Sequence, residues 1–133
     1  MKYPLIANDS GDLLFLENPQ ALQRDVEADD VRTNAVELFD SEGHVLAARV
    51  EEKEYPIRLF GGLLKFKALS REVVVEDMPG SVAKAERLKQ LIFSYLSAPR
   101  VSRRIPSSQQ ASDQDLLPAL IEKLRSFLRK DRR

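Results

Sequence analysis

The sequence predicts an α+β protein: an antiparallel β-sheet of hairpins, a short helix after the first hairpin, and two C-terminal amphipathic helices. Two patterns support this fold class. Before residue 77, short apolar runs with period-two alternation are separated by polar turn residues. After residue 80, apolar side chains recur instead at helical spacing. Strands followed by helices are typical of a sheet covered by helices.

The strand pattern is clearest from Ala35 to Val50. Apolar side chains alternate on both sides of the turn sequence Asp40-Ser41-Glu42-Gly43, which predicts a β-hairpin. A lone hairpin is marginal in water. We therefore expect other strands or a helix to pack against its apolar face.

The rest of the first half supplies such elements. Residues 2–8 and 13–17 predict a first hairpin, and Asn18-Pro19 predicts the start of a short helix ending near Ala28. Residues 55–60, 63–69 and 71–76 predict further strands. In the second of these, Lys65 and Lys67 alternate with apolar residues, which indicates one basic, solvent-facing side.

Two helices complete the chain. Ser81 is the expected cap of the first, which runs from Val82 to Leu96 and ends before Pro99. The second has an apolar stripe formed by Leu117, Leu120, Ile121, Leu124 and Leu128. We thus divide the chain into an α+β core domain (1–98), a flexible basic linker (99–112) and a C-terminal amphipathic helix (113–133). The linker leaves two alternatives open, since this helix could pack on its own sheet or on a second copy, forming a homodimer.

Composition narrows the classes of protein. The 133 residues fit one core of ordinary size, and the absence of cysteine removes disulfides, thiolate nucleophiles and cysteine zinc sites. The amino terminus lacks a signal-peptide core, and no apolar run approaches membrane-helix length. We expect a cytoplasmic protein with no membrane partner.

Charge is divided unevenly along the chain. Residues 1–54 contain thirteen acidic and five basic side chains, whereas residues 55–133 contain eight acidic and sixteen basic ones. This asymmetry has two interpretations. It indicates a charged partner, or the two halves neutralise each other in the fold.

No strong catalytic motif is present. Asp40 followed by Glu51-Glu52-Lys53 resembles the spacing of Mg²⁺-dependent nucleases, but the latter residues read as a solvated strand end. His44, the only histidine, reads as an exposed turn residue, and Gly61-Gly62 lacks the other parts of a phosphate loop. We predict that the protein is not an enzyme and has no catalytic, cofactor-binding or metal site.

An acidic cluster is the main candidate for partner binding. Seven carboxylates fall within eighteen residues, and such a surface attracts basic partners, although it also serves solubility. They are Asp25, Glu27, Asp29, Asp30, Glu37, Asp40 and Glu42.

A basic region near the carboxyl end provides an alternative. It predicts a nucleic-acid-associated regulator, although no aromatic residues are interleaved for base stacking. Its residues are Arg100, Arg103, Arg104, Arg129, Lys130, Arg132 and Arg133.

Four short segments of the first hundred residues form a recognisable layout. They are the start Met1-Lys2-Tyr3-Pro4, the helix entered through Asn18-Pro19, the segment Ala28-Asp29-Asp30-Val31 and the hairpin turn Phe39-Asp40-Ser41-Glu42-Gly43. In this layout the first hundred residues resemble the immunity proteins of bacterial polymorphic toxins. The resemblance implies an inhibitor that binds a cognate toxin effector and blocks its active site without chemistry. With the acidic cluster as the interface, we expect that toxin to present a basic active-site surface.

Overall fold

A computed structural model describes residues 1–33, 35–78 and 83–131, without the side chains of Asp29 and Asp131. Its strands form one antiparallel sheet in the order β2-β1-β3-β4-β5. They are β1 (Leu5–Asp9), β2 (Asp12–Leu16), β3 (Val36–Phe39), β4 (Val45–Leu59) and β5 (Leu64–Asp77). The helices are α1 (Pro19–Asp25), α2 (Ala28–Arg32), α3 (Ala85–Ser97), α4 (Pro99–Ser102) and α5 (Leu117–Asp131). The predicted α+β fold class is confirmed.

The first hairpin and the start of its helix form where the sequence predicts them, but the helix ends at Asp25 rather than near Ala28. The side-chain oxygen of Asn18 accepts a hydrogen bond from the backbone N–H of Ala21 at 2.8 Å, and Pro19 opens α1. Asn18 thus satisfies one unpaired donor of the helix start, and Pro19, which has no N–H, removes another. The five-residue helix α2, which the sequence analysis did not predict, then buries Val31 against the sheet.

The sheet carries helices on both faces because its side chains alternate. Ile6 points to one face, where it packs with Phe39 and with α3 and α5, while Leu5 and Ala7 point to the other, against α1 and α2. On the α3–α5 side the helices contribute Leu88, Ile92, Leu96, Leu120, Leu124 and Phe127. On the α1–α2 side they contribute Ala21, Leu22, Val26 and Val31.

The second half of the sheet corrects the predicted strand boundaries. The three strands expected at 55–60, 63–69 and 71–76 are parts of two long ones, β4 with 15 residues and β5 with 14. The charged runs that we took as strand ends belong to the strands, because both faces of the β4–β5 ribbon are solvent-exposed at that level.

A side chain pairs with the free edge of β5. The amide of Gln23 accepts from the Val73 N–H at 2.9 Å and donates to the Val73 carbonyl at 2.6 Å. Val73 therefore points its backbone groups away from β4, and its pair with Val50 is a non-hydrogen-bonded one. By alternation, Pro56 and Lys67 form another such pair, so Pro56 interrupts no hydrogen bond between the strands.

The carboxyl-terminal region packs on its own chain. Helix α5 lies against α3 and β2, with Tyr95 and Phe127 in edge-to-face contact at 6.1 Å between ring centroids. Of the two alternatives for this helix, the structure shows packing within one copy. The stretch 99–112 contains α4, with Val101 buried, and a 3₁₀ turn at Ser107–Gln109. The flexibility of this stretch and the division into domains stay predictions.

Some predicted features lie outside the part of the chain that the structure describes. They are the cap Ser81, the helical residue Val82, and the basic residues Arg132 and Arg133.

None of the helices in the described ranges has both the length and the apolar character needed to span a membrane.

Gly43 is required by the close approach of the β3–β4 turn to α3. Its φ is +90°, and a Cβ there would lie 2.7 Å from the Ala85 Cα. We expect Gly43→Ala to lower the free energy of unfolding by about 3 kcal/mol, combining a left-handed conformation with overpacking. Urea denaturation followed by circular dichroism measures this loss.

Gly11 provides the matched control, since its φ of +97° is similar but a Cβ would meet nothing within 4 Å. Gly11→Ala should lose only about 1 kcal/mol. Equal losses at the two positions would show that the approach to Ala85 is unimportant.

Candidate functional site

The seven predicted acidic residues do not form one surface. Asp25, Glu27 and Asp30 belong to the α1–α2 side of the sheet, whereas Glu37 on β3 binds Arg87 of α3, on the opposite side, at 2.7 Å. Asp40 and Glu42 lie in the β3–β4 turn. Asp29 is on α2, but its side chain is outside the described part of the structure. The sequence cluster is thus distributed over three places.

Several of these carboxylates already have basic neighbours. Asp25 binds Arg24 at 3.0 Å, and Glu42 binds Lys2 at 2.8 Å. Ion pairs between exposed side chains are weak, so a partner could compete for them. Glu27 is exposed and Asp30 half-buried.

Asp40 is a correction to the predicted surface. Its side chain is 1% exposed, so it has no access to a partner. One carboxylate oxygen accepts the backbone N–H groups of Glu42, at 3.0 Å, and His44, at 2.9 Å. The other lies 3.1 Å from Nδ1 of His44 and 3.4 Å from the backbone nitrogen of Lys2. The carboxylate therefore fixes the turn.

His44 also differs from its prediction as an exposed turn residue. Its side chain is 35% exposed, and its ring contacts Asp40. Burial by itself raises the pKa of the Asp40 carboxyl, but hydrogen bonds from the His44 and Glu42 backbones and from the His44 ring outweigh it. The resulting pKa lies below the ordinary value of 3.8.

The Asp40, Glu42 and His44 side chains form a compact polar group. One potential metal-donor atom from each lies within 4.8 Å of the others. However, the Asp40 oxygens already accept from protein donors, and the Lys2 ammonium already neutralises Glu42. Among the described residues, the cavity beside them is lined by Met1, Lys2, Val45, Asp77 and Met78, and these five provide no hydroxyl or thiol nucleophile. These contacts assign the group to holding the turn.

The nuclease-like spacing is not assembled in space. Asp40 is buried in the turn, whereas Glu51 and Glu52 lie far along β4 and point to opposite faces, as neighbours on a strand must. Glu51 binds Arg49, and Glu52 binds Arg32 and also Arg71, at 3.5 Å.

A projecting β-ribbon is the largest uncovered apolar feature in the described part of the chain. We call residues 53–70, the distal parts of β4 and β5 with their connection, the arm. Both hydrophobic clusters of the protein end before it, since their last members on these strands are Val50 and Val73. A two-stranded ribbon without other support is marginal in water.

One side of the arm is apolar except at its base, where Lys53 pairs with Ser70. We call the apolar part of this side, which includes one tyrosine, the apolar face. It consists of three cross-strand pairs: Tyr55 with Ala68, Ile57 with Phe66, and Leu59 with Leu64. Tyr55, Leu59, Leu64 and Phe66 are each 42–48% exposed. The alternation of β5 was predicted from sequence, but no described part of the chain covers its apolar side.

The connection at residues 60–63 extends this surface. Phe60 is 78% exposed and Leu63 is 90% exposed. Phe60 also has a φ of +57°, a left-handed conformation that costs a residue with a side chain about 1 kcal/mol or more. The connection therefore holds an aromatic ring in solvent at a local energetic cost.

The opposite side, which we call the charged face, is basic near the connection. Arg58 pairs across the ribbon with Lys65, and Pro56 pairs with Lys67. Glu54, 3.8 Å from Lys67, is the first carboxylate toward the base of the arm. The arm therefore presents the apolar face on one side, and on the other side cations together with Pro56 and the exposed Leu69.

The basic carboxyl-terminal residues are partly paired within the fold. Arg100 binds Asp12 at 2.7 Å, and Arg129 binds Glu17 at 2.9 Å. Arg104 lies over the Phe127 ring, 5.7 Å from its centroid, while Arg103 and Lys130 are exposed. Together with Arg87–Glu37, these contacts show the two oppositely charged halves pairing in the fold.

Comparison of the chain with protein-family models, curated proteins and solved structures found no match.

Because of the buried Asp40 carboxylate, we expect the free energy of unfolding to depend on pH in the acid range. Because folding lowers its pKa, its contribution is complete well above pH 3.8 and is lost as pH falls through the folded-state pKa. We expect Asp40→Asn to lower the free energy of unfolding by about 2 kcal/mol at pH 7, since a buried hydrogen-bonded charge is removed. The difference from wild type should shrink between pH 5 and about pH 2, as measured by urea titrations at several pH values.

Asp12→Asn is a suitable control, because the Asp12 side chain is 68% exposed in its pair with Arg100. It should change stability little at any pH. A difference for Asp40→Asn that stays constant from neutral to acid pH would contradict the assignment.

Proposed function

We propose that the protein is an immunity protein that binds a cognate bacterial toxin stoichiometrically, without catalysis, and that the arm is its main binding element. The observation that carries this proposal is the uncovered apolar face of the arm, continued by Phe60 and Leu63. Contiguous apolar surface that a chain leaves in water is typical of a protein interaction site.

The arm also suggests the chemistry of the partner. An apolar ribbon fits a cleft with apolar walls, while Arg58, Lys65 and Lys67 favour carboxylates at the rim of that cleft. The sequence analysis expected a toxin with a basic surface, on account of the acidic cluster. Because that cluster is dispersed and Asp40 is buried, we now propose an acidic rim.

The link to toxins comes from the sequence resemblance, which covers the first hundred residues and therefore the arm. An inhibitor of this class needs a rigid body and a surface able to enter or cover an active site. The two-sided packing of the sheet supplies the body, and the projecting ribbon supplies the surface. We propose that the protein meets its toxin in the cytoplasm.

A nucleic-acid-associated regulator remains the alternative, with less support. Phosphate binding needs unpaired cations, and Arg100 and Arg129 each bind a carboxylate in the fold. Within the described part of the basic region, the other members are Arg103, Arg104 and Lys130, which are exposed, and Arg104 lies over the Phe127 ring.

The test is capture of partners from the bacterium that encodes the protein, using the tagged chain washed at low and high salt. We expect wild type to retain one stoichiometric protein partner at high salt, because apolar contacts are insensitive to screening. Leu59→Ser combined with Phe66→Ser should reduce this capture at least tenfold. Both side chains are exposed, so circular dichroism should show an unchanged fold.

Glu27→Gln combined with Asp30→Asn serves as the control and should capture the partner as wild type does. If this variant lost capture of the partner while the arm variant retained it, the acidic residues rather than the arm would be the interface. Nucleic acid released by salt, with no protein partner, would favour the alternative function.

A further inference from the structure

We infer that a second copy of this chain covers the apolar face of the arm when no other partner is bound. The two arms would stack face to face about a two-fold axis. This inference deepens the proposed function and rests on it in taking the arm as the binding surface. It names what occupies that surface in the free protein.

The uncovered area is sufficient for a dimer. Tyr55, Leu59, Phe60, Leu63, Leu64 and Phe66 are between 42% and 90% exposed. With about 200 Å² for a fully exposed large side chain, they leave on the order of 700 Å² in water. This exceeds the largest apolar patch of a typical monomer, about 300–600 Å². It approaches the roughly 800 Å² that each partner contributes to an interface of standard size.

The charge distribution suits a copy of the same surface. In a two-fold dimer each patch meets itself, so any charge on it would face a like charge. The three cross-strand pairs of the apolar face contain no group charged at neutral pH, and the first cation on that side is Lys53, at the base of the arm. Arg58, Lys65 and Lys67 belong to the opposite side of the same strands and remain in water. Stacking therefore buries apolar groups without burying cations.

Stacking would also support a ribbon that is weak by itself. Two stacked ribbons form a four-stranded sandwich with an apolar interior, whereas a single ribbon is marginal. The other route to a dimer, through the C-terminal helix, lacks a free apolar stripe. Leu120 and Leu124 of α5 are buried in the core of their own chain.

The test is sedimentation of the purified full chain between about 1 and 200 μM, at low salt and in 1 M NaCl. We expect the mass to rise from 15.1 kDa towards twice that value with concentration, at both salts. Leu59→Glu combined with Phe66→Glu, which places carboxylates on the apolar face, should weaken the dimer at least tenfold. Glu54→Gln, on the other side of the same ribbon, is the control and should leave it unchanged.

A monomer at every concentration would overturn the inference. So would a dimer that salt dissociates, or one that survives carboxylates on the apolar face. A monomeric protein that still captures a toxin through the arm would overturn the dimer and leave the proposed function standing. A dimer that forms through the arm but captures no protein partner would overturn the proposed function and leave the dimer standing.

Discussion

The buried carboxylate of Asp40 is the interaction on which the arrangement of the fold depends. It holds the turn between β3 and β4 through two backbone N–H groups and contacts both the His44 ring and the amino-terminal segment at Lys2. In the same turn, the Gly43 carbonyl accepts from the Lys84 backbone N–H at 2.9 Å, immediately before α3. A buried charge is tolerated only when such donors surround it. The turn that this side chain holds thus connects the chain start, the sheet and the helical layer.

The sequence was sufficient for the elements whose cause is local. Asn18 caps α1 and Pro19 occupies its first position, so these two residues indicate the helix start by themselves. The spacing of Leu88, Ile92 and Leu96 likewise indicates a helix with one buried side. Burial of polar groups is different, because it depends on distant segments. Asp40 has the residue type of a solvated turn, but the amino-terminal segment at Lys2 hydrogen-bonds to it and to Ser41, and the residue lies in the interior.

The candidate site shows the same division. Alternation of apolar and basic residues in β5 was readable, and the register with β4 confirms that each type shares one side. Alternation predicts that a strand has one apolar side that is more stable when buried. It does not show whether the same chain or another molecule buries that side. The seven predicted acidic residues are dispersed for a related reason: residues close in sequence, such as Asp30 and Glu37, belong to opposite sides of the sheet.

The pairing of Gln23 with Val73 has a consequence for how the sheet can grow. An edge strand exposes a row of backbone donors and acceptors that invites strands from other molecules, the first step of fibril formation. The Gln23 amide presents one donor and one acceptor, as a neighbouring peptide group would, and so occupies one position of that row. It acts as a one-residue substitute for a sixth strand. It interrupts the row of exposed backbone groups on β5 at the point where the five-stranded part of the sheet continues into the arm.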